Sequence, residues 1–146
     1  MADIERRAEA QWTGDLKSGV GKTSGESGAF EDVEYTFATR FENKPGSNPE
    51  ELIGAAHASC FSMQLSGVLT GDGNTPKRIH TRATVTMQKV EGGFKVSGVH
   101  LHTEGEVPGI DEATFKKAVE KAKEICPISV LLSPGLEEVT VEANLL

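Results

Sequence analysis

The sequence has few cysteines, few aromatic residues and a shortage of positive charge. Its 146 residues include two cysteines, 5% aromatic residues, and 15 Lys and Arg against 22 Asp and Glu, which gives a formal net charge of -7. Such a chain is poorly suited to bind the phosphate backbone of a nucleic acid or an anionic membrane surface. We therefore predict that neither nucleic acid nor membrane is a partner.

An apolar leader and a long hydrophobic run are also missing from the sequence. The first seven residues are charged, and no later apolar stretch is expected to reach the ~20 residues that span a bilayer. These absences predict a cytoplasmic protein. Because 37% of the residues are hydrophobic and no repeat or linker is evident, residues 1–146 are predicted to form a single domain.

The two cysteines stand in contrasting segments. Cys60 lies within the apolar run 52–63, and Cys126 ends an amphipathic segment immediately before Pro127. Structural disulfides are uncommon in a reducing cytosol, and two thiols alone make a poor zinc site. The pair is therefore either buried and inert or reactive, and reaction requires a stabilised thiolate.

The order of periodic patterns predicts an α+β domain with an antiparallel sheet. Helices are predicted from Asn48-Pro49 to about Leu69 and from Asp111 to about Ile125. Strand-like patterns cover the ranges 5–12, 19–24, 35–41, 79–90, 94–101 and 136–145, with a bulge expected near Gly98. Because the first helix is apolar around most of its circumference, a second subunit is predicted to cover it in an intertwined homodimer.

Several segments together resemble the osmotically inducible protein C (OsmC) family. The main match runs from Asn48-Pro49-Glu50-Glu51-Leu52 into Ala55-Ala56-His57-Ala58-Ser59-Cys60-Phe61-Ser62, with shorter matches at 12–15, 39–42, 107–110 and 121–127. Each short match is weak, but together they span essentially the whole chain. The resemblance implies an antiparallel sheet wrapped around two central helices in an intertwined homodimer.

The same resemblance implies a thiol-dependent peroxidase that reduces hydroperoxides, preferably organic ones, to alcohols. It assigns Cys60 as the peroxidatic thiol and Cys126 as the resolving thiol, with Arg40 and Glu50 as the polar pair that activates Cys60. No cofactor is implied, because two thiols suffice for the chemistry. The implied reductant is a dithiol, for which a lipoylated protein is one candidate.

A lowered pKa of Cys60 alone cannot explain a fast peroxidase, so we expect Arg40 to have a second role. An ordinary cysteine is a few per cent thiolate at neutral pH, so ionisation alone accelerates attack at most about thirtyfold. Arg40 can stabilise the leaving alkoxide, and Glu50 can hold the guanidinium by a bidentate pair. Ten helical residues separate Glu50 from Cys60 by roughly 15 Å, so we predict that Arg40 and Glu50 serve the Cys60 of the partner subunit.

Some assignments stay open at this level. Glu51 competes with Glu50 for Arg40, or forms a capping box with Asn48. His57, one turn before Cys60, either tunes the thiol or is a hydrogen-bonded core histidine. Candidates for an apolar substrate pocket are Phe61, Met63, Leu65 and Leu69, although core packing explains them equally well.

Two further alternatives concern binding and function. His100 and His102 share one face of a predicted strand and could bind a metal, but a polar surface is favoured because no third ligand is evident. The Cys60–Cys126 pair could also belong to a dithiol–disulfide oxidoreductase or redox sensor. A small-molecule binding module with inert cysteines is a third reading.

Overall fold

The computed structural model describes residues 2–146. The chain divides into two compact units, one that ends at Leu52 and one that comprises Ile53–Leu146. Helix and strand content confirms the predicted α+β class. The single domain stays a prediction.

The first unit contains a three-stranded antiparallel sheet and a short helix. Strands β1 (Ala8–Thr13), β2 (Val20–Gly25) and β3 (Val33–Tyr35) pair in the order β1-β2-β3, and helix α1 (Phe37–Phe41) follows. The strand predicted across 35–41 is therefore wrong beyond Tyr35. A reciprocal capping box explains the helix, because the side chains of Thr36 and Thr39 each accept a hydrogen bond from the other's backbone N–H.

Helix α2 (Pro49–Gly71) begins as the sequence predicts. The Asn48 side chain accepts a hydrogen bond of 2.8 Å from the Glu51 backbone N–H, and proline occupies the first helical position. Among the described residues, α2 alone is long and apolar enough to cross a membrane by length and composition. The prediction that no run approaches that length is thus wrong, although core helices of soluble proteins meet the same test.

The second unit has a mixed three-stranded sheet. Strands β4 (Arg78–Val90) and β5 (Gly93–Glu106) form the predicted hairpin, and their register shifts between Thr86 and Met87, opposite Gly98, where a bulge is expected. Strand β6 (Glu138–Leu145) runs parallel to β5. The sheet is therefore not wholly antiparallel. The helical connection after β5 returns the chain to the end of the sheet at which β5 begins, so β6 runs in the same direction as β5.

Helices α3 (Glu112–Ile125) and α4 (Pro127–Leu132) form that connection. Asp111 caps α3 by accepting a hydrogen bond of 2.8 Å from the Thr114 backbone N–H. The core of the unit joins one face of α2, one face of α3 and the sheet. Its buried apolar residues are Phe61, Leu65, Val68, Leu69, Val99, Leu101, Val107, Phe115, Ala118, Val119, Ala122 and Cys126.

Candidate active site

The two cysteines meet in the second unit, although 66 residues separate them. Their sulfur atoms lie 3.2 Å apart, and both cysteines are free. Cys60 projects from the middle of α2 and is half-buried, whereas Cys126 is fully buried. A disulfide has an S–S distance of about 2.05 Å, so an approach of little more than 1 Å would join them.

Cys126 occupies the junction between α3 and α4. Cys126 is the C-cap residue of α3 and the N-cap residue of α4. Its backbone is extended, with φ -61° and ψ 118°. The following Pro127 disfavours helical angles at Cys126, which explains why the chain changes direction there. Hydrogen bonds from the Cys126 N–H to Ala122 and from the Val130 N–H to the Cys126 carbonyl fix this backbone on both sides.

The contacts within this unit affect the two thiols in opposite directions. Burial raises the pKa of Cys60, the Ile128 backbone N–H opposes this effect, and the neighbouring Cys126 adds to it. Burial also acts to raise the pKa of Cys126, but hydrogen bonds outweigh it and the pKa is lowered. These bonds come from the Ser129 backbone and side chain, the Cys60 thiol and the Ile128 backbone. The surroundings therefore favour the thiolate on Cys126.

His57 is a core residue that forms a hydrogen bond with Ser129, three residues after Cys126. Its Nε2 lies 2.6 Å from the Ser129 hydroxyl, and both side chains are buried. Burial lowers the pKa of His57, so the imidazole is neutral at pH 7. The sequence leaves open whether His57 is a core histidine or tunes a thiol. The structure supplies the bond to Ser129, which sequence spacing could not indicate across 72 residues.

Arg40 and Glu50 pair within the first unit. The shortest contact is 2.7 Å between Nη2 of Arg40 and Oε1 of Glu50, and Nε of Arg40 lies 3.2 and 3.3 Å from the two carboxylate oxygens. The guanidinium also lies 5.2 Å from the centroid of the Phe41 ring. The Glu51 backbone N–H instead donates to the Asn48 side chain, which caps α2. Of the two candidate carboxylates, Glu50 is thus the one that holds Arg40.

An apolar cavity in the first unit adjoins Arg40. Its volume is about 260 Å³, and aromatic rings form most of its wall. The lining residues are Trp12, Leu16, Tyr35, Thr36, Phe37, Arg40 and Phe41. Sequence reasoning missed this cavity because its walls come from separate segments. The candidates on α2 lie elsewhere, since Phe61, Leu65 and Leu69 are in the core and Met63 is exposed.

The two strand histidines belong to a polar surface of the second sheet. His100 lies 2.6 Å from the Thr140 hydroxyl, and His102 lies 2.8 Å from the Asn144 side chain. Both imidazoles are within 4 Å of the Glu142 carboxylate. No group of three or more potential metal-binding side chains suited to hold an ion occurs in residues 2–146. The observed partners of the two histidines are thus a hydroxyl, an amide and a carboxylate on the neighbouring strand.

Comparisons with known proteins identify one relative that matches nearly the whole chain and another that matches part of it. Peroxiredoxin OsmC of Escherichia coli strain K12 is 47% identical over 142 residues, which cover 97% of both chains. An organic hydroperoxide resistance protein of Xanthomonas axonopodis pv. citri is 33% identical over 85 residues, or 58% of both chains. The first of these relatives carries the name of the OsmC family, which the sequence motifs resemble.

Solved structures give the same result for the fold. The crystal structure of an organic hydroperoxide resistance protein from Elizabethkingia anophelis matches with a TM-score of 0.72 and 27% identity, covering 99% of this chain and all of that one. The family described as OsmC-like protein matches residues 41–142. The predicted membership is confirmed, and the chain belongs to the family of OsmC-like proteins.

Proposed function

We propose that this protein is a thiol-dependent peroxidase that reduces organic hydroperoxides to alcohols through a Cys60–Cys126 disulfide. The observation that carries the proposal is the distance of 3.2 Å between two free thiols. Names of the relatives, peroxiredoxin and organic hydroperoxide resistance protein, support a peroxidase. The roles of individual residues are inferred from their contacts and chemistry.

The proposed reaction has three balanced steps. The Cys60 thiolate attacks the terminal peroxide oxygen, the O–O bond breaks, and the alkoxide takes up a proton to leave as the alcohol. The Cys126 thiolate then attacks the sulfur of the resulting sulfenic acid, forming the disulfide and releasing hydroxide, which becomes water on protonation. A dithiol finally reduces the disulfide and is itself oxidised to a disulfide.

Arg40 is proposed to stabilise the charge that moves to the departing oxygen. Burial raises the pKa of the Cys60 thiol, so a positive group brought near its sulfur would favour the thiolate. A guanidinium supplies this charge and can donate several hydrogen bonds at once. Glu50 holds the guanidinium through the contacts of 2.7 to 3.3 Å.

The aromatic cavity next to Arg40 supports a preference for organic substrates. Its volume of about 260 Å³ suits a small alkyl or aryl group, and rings such as Phe37 and Phe41 would exclude water from that group. Hydrogen peroxide has no apolar part and gains nothing from such a wall. The preference is therefore a difference in binding energy of the organic group.

An intertwined homodimer belongs to the proposal. Only 33% of an apolar 18-residue stretch of α2 is buried. Met63 on this helix is 78% exposed, and Leu131 on α4 is 70% exposed. A second copy could cover these side chains. Met63→Glu and Leu131→Asp should lower the mass measured by sedimentation to that of one chain, whereas Val90→Glu at the hairpin end should leave it unchanged. A wild-type monomer would contradict the dimer.

Some parts of the proposal are carried over from the sequence. A single domain, location in the cytoplasm, activity without a cofactor and a dithiol reductant, with a lipoylated protein as one candidate, stay predictions. So does the assignment of Arg40 and Glu50 to the Cys60 of the partner subunit. A mixed dimer of Cys60→Ser and Glu50→Ala chains tests it, because one intact site is expected rather than two damaged ones.

The deciding experiment is a steady-state assay with a dithiol reductant. Cumene and tert-butyl hydroperoxide should be turned over in preference to hydrogen peroxide. Cys60→Ser should abolish turnover, and Cys126→Ser should react once and then overoxidise at Cys60. Absence of turnover with the reduced wild-type protein would overturn the proposal and favour a dithiol–disulfide oxidoreductase or sensor.

A further inference from the structure

Two neighbouring contacts join helix α2 to the start of α4. Nε2 of His57 lies 2.6 Å from the Ser129 hydroxyl, and the sulfur atoms of Cys60 and Cys126 lie 3.2 Å apart. Three residues separate His57 from Cys60 on α2, and three separate Cys126, the N-cap of α4, from Ser129. Helical residues with this spacing share a face and lie about 4.5 Å apart along the axis. The two contacts therefore lie side by side, one helical turn apart.

The contact between His57 and Ser129 is a buried and specific hydrogen bond. His57 is 0% exposed and Ser129 is 1% exposed. Among the described residues, Nδ1 of His57 is the one buried side-chain nitrogen or oxygen without a hydrogen-bond partner, so the imidazole is bound through Nε2 alone. Burying such a pair removes both groups from water, and an apolar pair of similar shape can be about as stable. The bond is therefore better explained by a requirement for position than by stability.

The position of the Cys126 side chain depends on how α4 is attached. Cys126 forms no side-chain capping hydrogen bond, and a thiol is a weak donor and a weak acceptor. Helix α4 has six residues, and a helix of that length requires tertiary contacts for its stability. Ser129 is the buried residue of this helix. Its hydrogen bond to His57 therefore determines where the first turn of α4 lies against α2.

We propose that His57 and Ser129 are positioning residues that hold the first turn of α4 against α2, so that Cys126 stays within reach of Cys60. One contact alone lets two segments pivot about it, whereas two contacts one turn apart fix their relative orientation. The inference rests on the proposed peroxidase function and adds two residues to its second step.

The step that depends on this positioning is disulfide formation. Cys126 gives up its thiol proton, and its sulfur attacks the sulfur of the Cys60 sulfenic acid. The S–S bond forms as the S–O bond breaks, and the departing hydroxide takes up a proton to leave as water. Attack of one sulfur on another requires close approach in the correct direction, so the rate of this step should follow the positioning of the two thiols.

The effective concentration of one thiol toward the other measures this positioning without a hydroperoxide. Reduced protein and oxidised glutathione exchange to give the protein disulfide and two molecules of reduced glutathione, and the equilibrium constant is the effective concentration. Ser129→Ala and His57→Leu should each lower it by about tenfold to a hundredfold, because a displacement of about 1 Å can have an effect of that size. His57→Gln, which keeps a polar group near the place of Nε2, should lower it less.

A double variant separates position from stability. Ser129→Ala alone leaves a buried imidazole without its partner, whereas His57→Leu combined with Ser129→Ala removes both polar groups and should regain much of the free energy of unfolding. The effective concentration should stay low in the double variant, since no hydrogen bond sets the place of α4. Thr103→Val is the matched control, because the Thr103 hydroxyl is also buried and lies 2.9 Å from that of Thr81 in the sheet. It should lower stability and leave the effective concentration unchanged.

The outcomes separate this inference from the peroxidase proposal. An unchanged effective concentration in Ser129→Ala and in the double variant overturns the positioning role, even if turnover is normal. Recovery of the effective concentration together with stability in the double variant also overturns it, because packing alone would then suffice. Absence of wild-type turnover, with a lowered effective concentration in the variants, overturns the peroxidase proposal, although the positioning of the two thiols remains.

Discussion

Arg40 binds the Glu50 carboxylate through Nη2 at 2.7 Å and through Nε at 3.2 and 3.3 Å. The Glu50 side chain is 12% exposed and that of Arg40 is 37% exposed, so water still reaches the guanidinium. Such an ion pair contributes about 0–1 kcal/mol to folding. Its main effect is therefore to fix the orientation of a positive group, and its removal should affect activity more than stability.

Glu50→Gln tests this orientation with nearly the same side-chain volume. We expect kcat/KM for cumene hydroperoxide to fall by about tenfold to a hundredfold, because a displaced guanidinium would no longer stabilise the departing oxygen in the proposed reaction. The free energy of unfolding should change by less than about 1 kcal/mol. Glu51→Gln is the matched control and should keep near wild-type activity. Equal losses in the two variants would refute the specific role of Glu50.

Disulfide formation should stabilise the protein measurably. A bond between Cys60 and Cys126 closes a loop across 66 residues, for which the chain-entropy model gives about 4 kcal/mol. Little strain should offset this gain, because the sulfur atoms are already 3.2 Å apart. Urea unfolding of oxidised and reduced protein measures the difference. Cys126→Ser should show no such gain after oxidation, and an oxidised wild type less stable than the reduced form would contradict the expectation.

The buried imidazole of His57 should make stability depend on pH. Burial lowers its pKa below the ordinary value of 6.5. As the pH falls, the unfolded chain therefore binds a proton at a higher pH than the folded chain does. The free energy of unfolding should therefore fall as the pH drops below 6.5, by at most about 1.4 kcal/mol per pH unit for this group. His57→Gln should flatten the curve over that range. The same slope in both proteins would assign it to other groups.

Gly105 provides the space in which α3 packs against β5. A Cβ atom built there would lie 2.4 Å from the Phe115 ring. Gly105→Ala should thus destabilise the protein by about 1–3 kcal/mol, measured by urea unfolding. At Gly98 the nearest atoms would be 3.4 Å away, on Glu138, and Gly98→Ala should cost less than about 1 kcal/mol. A larger loss at Gly98 would invalidate this comparison.

Local signals in the sequence predict much of the fold. Asn48 and Pro49 mark the start of α2, Asp111 marks α3, and the alternation on both sides of Gly92 indicates the hairpin. These features depend on neighbouring residues, which act through caps and turns. The Thr36–Thr39 capping box is also local, but the apolar alternation around it obscured the short helix.

Relationships between distant segments could not be derived from spacing. The parallel pairing of β6 with β5 depends on the path of the helical connection. The contact between Cys60 and Cys126, and that between His57 and Ser129, join segments 66 and 72 residues apart. The family resemblance implied the cysteine pairing, but neither periodicity nor resemblance indicated the buried hydrogen bond between His57 and Ser129. The direction of each cysteine pKa shift also requires coordinates, since burial and hydrogen bonds compete.

The unequal burial of the two sulfurs determines how a disulfide between them would be reopened. Cys126 is fully buried, whereas Cys60 is partly exposed, so an incoming reductant would reach Cys60 more readily. Attack there expels Cys126, the thiol with the lowered pKa and hence the better leaving group. Accessibility and chemical reactivity thus select the same sulfur, and the reductant would be joined to Cys60 in the mixed disulfide.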